Sequence, residues 1–125
     1  MKNLVFIIVL IVVSSCAVSK KAVYSPAGAW EYMVIGTPNG DASGIMTLTK
    51  TEGGLEGTFD SPQYGKSNMD NLVFNAETKE MTCDFYLSGI DLLLKGTFEG
   101  DTFEGNIDAG QNGAFPMTAN RKISN

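Results

Sequence analysis

Histidine is absent from the chain, and its 125 residues include only two cysteines, one tryptophan and four prolines. The missing imidazole removes the commonest general base and metal ligand, so His-dependent catalysis is excluded. With so few thiols, no thiolate cluster for zinc can form either. No cofactor or metal is expected. Basic side chains are also scarce: nine Lys and Arg stand against 14 Asp and Glu, a formal net charge of -5 with no basic cluster, which argues against a nucleic-acid partner. Glycine-rich stretches occur (GTPNGD, GG, AGQNG), but no helical segment follows any of them to complete a phosphate loop. Helical periodicity itself is missing from Trp30 onward. The length leaves room for one domain after a short leader.

The leader is MKNLVFIIVLIVVSSC: Lys2, an unbroken apolar run over residues 4–13, then small residues before Cys16. The run is too short to cross a bilayer and reads as a cleaved secretory signal. Val13-Ser14-Ser15-Cys16 resembles the bacterial lipobox, which implies cleavage ahead of Cys16 and lipidation of that cysteine, with several acyl chains holding the protein on a membrane. Residues 1–15 are thus expected to be a lipoprotein signal peptide, 16–27 the lipidated cysteine and a flexible tether, and 28–125 the folded domain. Loss of Lys2 with the leader would take the net charge from -5 to -6. Lys20 and Lys21 would lie near lipid headgroups. Residue 17 is Ala, not the Asp of an inner-membrane retention signal, and no acidic cluster follows. The expected address is the outer membrane, facing the periplasm. Cys83 is then left without an intrachain partner, and the core alone must stabilise the domain.

Period-two alternation in short runs, punctuated by Gly, Asn and Asp, predicts an all-β domain of about eight strands at 29–35, 44–50, 55–60, 69–75, 80–87, 90–99, 102–108 and 114–121. Short connections make them antiparallel neighbours, and such a meander closes into an up-and-down barrel because closure removes unpaired edges. The stretch LKGTFEGDTFEGNI fixes one register. A two-residue turn at Gly100-Asp101 pairs Phe98 with Phe103 and Gly96 with Gly105, with the Phe/Gly face inward. The glycine pair reads either as a device for bending strands or as a notch for a ligand. The preceding hairpin is expected to pair Phe74 with Met81 and Leu72 with Cys83, which carries Asp70 inward near a strand end. Trp30, Tyr32, Val34, Met46, Leu48, Phe85, Leu87, Leu92, Leu94, Ile107, Phe115 and Met117 are further inward positions. Glu56, Asp60, Asp84, Asp91, Glu99, Glu104 and Asp108 fall on the outer face, as a solvated surface and not a catalytic carboxylate pair. An enzyme is not expected.

Gly28-Ala29-Trp30 opens the first strand as G-x-W, and Arg121 ends the last with inward parity. The combination resembles the signature of lipocalins, fatty-acid-binding proteins and avidins. That resemblance implies that Arg121 packs across Trp30 and closes the base of a lipocalin/avidin-like barrel. TLTKTEGGLEGTFDSPQYG is similar to the avidin pattern, which would place Phe59 and Ser61 at biotin-contacting positions. The tyrosine hydroxyl of that pattern is missing at Phe59, and avidins enclose biotin with several tryptophans where this chain has one, so biotin is not the expected ligand. Over nearly the whole domain the chain also resembles small β-barrel modules found as bacterial lipoproteins or appended to secreted amidohydrolases, a calycin-type group whose activity is undefined.

Two functions remain open. One is a lipid-anchored barrel that binds a small apolar or amphipathic ligand at its looser end, with Phe59, Ser61, Tyr64, Asp70, Phe74, Phe85 and Met117 as ligand-binding candidates and Asn39, Gln111 and Asn112 beside Tyr64 on the rim. The other is a barrel with a filled core whose surface meets an envelope protein partner. A void lined by Phe59, Phe74, Met81, Phe85 and Met117 would favour the first, and a contiguous exposed apolar patch the second.

Overall fold

The computed structural model describes residues 24–123. Expectations for the signal peptide, for Cys16 and for most of the tether fall outside the described residues. The described residues form nine antiparallel strands: β1 (Gly28–Thr37), β2 (Gly40–Thr51), β3 (Gly54–Ser61), β4 (Gly65–Asn68), β5 (Asp70–Asn75), β6 (Glu80–Leu87), β7 (Ile90–Glu99), β8 (Thr102–Asp108) and β9 (Ala114–Arg121). A 3-10 turn, Gly110–Asn112, precedes β9. The sheet order β4-β3-β2-β1-β9-β8-β7-β6-β5 is a meander in which first and last strands pair, an up-and-down barrel that is nearly closed.

The ninth strand is β4, which forms in a stretch expected to be the loop ahead of the strand at 69–75. β4 pairs with β3 and β5 pairs with β6, so one stretch of chain changes partner at Met69. The Met69 amide still donates to the Gly57 carbonyl at 2.9 Å, and the Ser67 hydroxyl donates across the seam to the Tyr86 carbonyl at 3.1 Å. The two half-strands thereby protect each other's edges. Past the break a bulge is centred on Asn71, whose φ of +53° is unusual for a side-chain-bearing residue. The bulge corrects two expectations. Phe74 pairs with Met81 as expected, but the register then slips and Asp70 faces Asp84, so Leu72 is not in regular register with Cys83. The extra residue also reverses the parity of the strand start: Asp70 is exposed and Met69 is buried in its place.

The 94–107 hairpin has the expected register, including Phe98 with Phe103 and Gly96 with Gly105. Its glycines answer to crowding. A Cβ on Gly96 would strike the Phe103 ring and sit 2.5 Å from the Glu104 carbonyl oxygen and 2.8 Å from the Gly105 Cα. The space above the pair is therefore occupied by the protein's own phenylalanine. Because two of the clashing atoms are backbone, Gly96→Ala is expected to destabilise the fold by at least about 2 kcal/mol, read from urea unfolding midpoints.

One end of the barrel is sealed by Trp30, fully buried, whose indole N–H donates to the Pro26 carbonyl at 2.9 Å. The Arg121 guanidinium lies 4.6 Å over the indole ring. Its donors reach the Ala27 carbonyl (2.6 Å), the Asp101 carboxylate (2.8 Å), and the Tyr24 hydroxyl and Ser25 carbonyl (3.3 Å each). Gly28 is required by its φ of +134°, since a Cβ there would make only ordinary contact, 3.5 Å from an Arg121 nitrogen. Residues 24–27, which the sequence places in the tether, thus form a strap across the base. Tyr24 fastens it by donating to the Gly100 carbonyl at 2.6 Å and packing on Phe74 and Phe98.

Above the base, Phe98, Phe103, Met46, Leu48, Met81, Leu94 and Cys83 fill the lower half of the interior. Cys83 is a free thiol whose pKa burial, assisted by Asp84 and Asp70, pushes from its ordinary 9.0 to about 12. Burial likewise raises the Tyr32 and Tyr24 phenols above their ordinary 10.0. These groups release protons in the unfolded chain before they do so in the folded one. Their contribution is complete below pH 9 and is lost as pH rises towards about 12. Urea midpoints are expected to fall as pH rises from about 9 to about 10.5, less steeply in Cys83→Ala. In the folded protein Cys83 is expected to resist alkylation at about pH 8.

Candidate ligand cavity

The upper half of the barrel is hollow. The inward side chains of β2 shrink from Leu48 and Met46 to Ala42 towards the mouth, and the short strand β4 contributes only Ser67 and Gly65 to the same region. These small residues leave an open-ended cavity of about 240 Å³. Its walls follow from period-two alternation: Val34 on β1, Phe59 and Ser61 on β3, Phe85 and Leu87 on β6, Leu92 on β7, Ile107 on β8, and Phe115 and Met117 on β9.

Its floor is a tier of three rings. Phe59 meets Tyr32 edge-on at 5.6 Å and Phe85 at 4.5 Å between centroids, which spans the barrel from β1 to β6. Gly44 makes this possible, because a Cβ there would sit 2.8 Å from the Tyr32 hydroxyl oxygen. Ser61, buried at the edge of the tier, accepts from the amides of Gln63 (3.1 Å) and Tyr64 (3.4 Å) and so shapes the β3–β4 turn. Burial raises the Tyr32 pKa against the pull of a hydrogen bond with Ser61. At the rim, Asn39 donates from its side-chain amide to the Tyr64 hydroxyl at 3.4 Å, linking the β1–β2 and β3–β4 turns.

Among the sequence candidates, Phe59, Ser61, Tyr64, Phe85 and Met117 come together around this cavity, with Asn39 and Asn112 at its mouth. Asp70 and Phe74 do not. Asp70 is turned outward by the bulge, while Phe74 lies at the closed end, 5.9 Å from Phe98. Met81 is part of the filled half, and Gln111 stands away from the lining. Trp30 and Arg121 occupy the opposite end of the barrel. Sequence reasoning counted Tyr32 as interior but not as a wall of the site. The signal lay in its register partner Gly44, the one inward position of β2 without a side chain.

The expected loose mouth is also tighter than GTPNGDAS suggests. β1 and β2 run on to a two-residue turn at Pro38-Asn39, across a bulge held by the Gly36 amide donating to the Asp41 carboxylate at 2.9 Å. The strand extension raises the wall of the cavity on that side.

No protein-family model, curated protein or solved structure matches the chain. The antiparallel, nearly closed barrel is consistent with a calycin-like fold.

Proposed function

We propose that the protein is a bacterial envelope lipoprotein, lipidated at Cys16, whose lipocalin/avidin-like barrel binds a small apolar or amphipathic molecule without transforming it. The observation that carries the binding reading is the apolar cavity over the Tyr32–Phe59–Phe85 tier, open at one end of an otherwise packed barrel. The lipocalin/avidin-like reading is supported by Arg121 stacked on Trp30. The address rests on Lys2, the apolar run and Val13-Ser14-Ser15-Cys16. The Tyr24 strap brings the chain into the barrel at its sealed base, the end opposite the cavity mouth. The rival reading, a surface for an envelope protein, finds its exposed apolar side chains scattered: Met33 and Ile35 on β1, Val73, Tyr86 and Leu93 on β5 to β7.

Two measurements test the proposal. Expressed in a Gram-negative host, the chain should appear in the outer-membrane fraction with the mass of a form cleaved before Cys16 and acylated, and Cys16→Ser should remain unprocessed. Native mass spectrometry of the mature-length Cys16→Ala chain, after exposure to an apolar metabolite extract, should show a retained small molecule. A persistent apo mass would shift the reading to the protein-interaction alternative.

A further inference from the structure

The cavity is specific about its occupant in three ways. The first is size. An apolar cavity of about 150 Å³ accepts benzene, so one of 240 Å³ holds a molecule of about ten non-hydrogen atoms. The second is depth. Beneath the aromatic floor lie Met46, Met81, Leu94 and Phe98, each at most 1% exposed, which leaves no shaft for an alkyl tail. The third is charge. No Asp, Glu, Lys or Arg lines the cavity, and the strand ends around its mouth carry Asp41, Asp60, Asp91 and Asp108 against Lys66. That field repels anions, and a cation drawn to the rim would have to shed its water in a chamber with no counter-charge. What the rim does offer is neutral hydrogen bonding: the amides of Asn39 and Asn112 and the Tyr64 hydroxyl supply both donors and acceptors.

We infer that the occupant is a compact, uncharged, single-ring-sized molecule with a neutral polar group at the mouth, and that long-chain acyl lipids are excluded. This rests on the proposed binding function and narrows its ligand class.

Benzamide, benzoate and benzamidinium have nearly the same shape and differ in charge, which makes them the probes to use. Each is titrated into the mature-length Cys16→Ala chain and followed by NMR shifts of Phe59, Phe85 and Met117, with palmitate added as a competitor. The expected result is that benzamide binds at least tenfold more tightly than either ion, with shifts confined to the cavity and no displacement by palmitate. Benzoate or benzamidinium binding as well as benzamide would overturn the charge argument. Displacement by palmitate would overturn the size argument while leaving a ligand-binding barrel in place. Silence from all four probes would overturn the binding function along with this inference.

Discussion

Trp30→Ala is expected to lower stability by about 3–5 kcal/mol, a large share of the roughly 5–15 kcal/mol typical of a domain. The indole is fully buried, packs 4.9 Å from the Phe98 ring, and carries the Arg121 guanidinium on its face. Truncation would open a cavity at the base and leave the Pro26 carbonyl without its donor. It would also deprive Arg121 of its stack while the strap carbonyls at Ala27 and Ser25 still hold it over the void. The melting temperature, followed by circular dichroism, should fall by more than about 12 °C. Arg121→Lys should lose less, because an ammonium keeps the charge beside Asp101 but cannot span the same carbonyls or stack on the ring. A change below about 1 kcal/mol in Trp30→Ala would mean that the strap, not the stack, closes the barrel.

The base and the 94–107 hairpin were legible because both are local or strongly patterned. Gly100-Asp101 sets a register that propagates through Phe98/Phe103 to Gly96/Gly105 without a break. Trp30 and Arg121 are both inward by parity and turn out to be direct register partners across the first and last strands. Parity reasoning fails wherever the two-residue period is interrupted, as it is at the start of the expected strand 69–75. The change of partner at Met69 leaves no compositional mark, since Gly65–Asn68 reads as loop until β3 is present to pair with it. The Asn71 bulge then turns Asp70 out of the barrel, and its only hint was an asparagine tolerant of positive φ. The cavity was half legible. Inward alternation named most of its walls, but whether large side chains meet across a barrel depends on where small ones cluster, and Ala42, Gly65 and Ser67 come together only in the closed sheet.

That clustering yields the second large effect, on binding. Ala42 is buried yet faces the cavity, so a ring placed there has empty space to enter. Ala42→Phe is expected to weaken ligand affinity by more than about a hundredfold while leaving the stability unchanged or raised by up to about 1 kcal/mol, because the added atoms fill a void. Leu94→Phe, in the packed half, should do the reverse: a cost of about 1–3 kcal/mol from overpacking, with affinity nearly unaltered because Leu94 lies outside the cavity wall. Ala42→Phe adds about twice as many atoms to the interior as Leu94→Phe, so added bulk alone would make it the more damaging change, the opposite of the order expected here. If urea titrations gave both variants the same loss of stability, the upper half would be as full as the lower, and the protein would have no chamber to offer a ligand. Opposite responses, binding lost in one and stability in the other, would instead show that one barrel keeps its packing and its cavity in separate halves, divided at the Tyr32–Phe59–Phe85 tier.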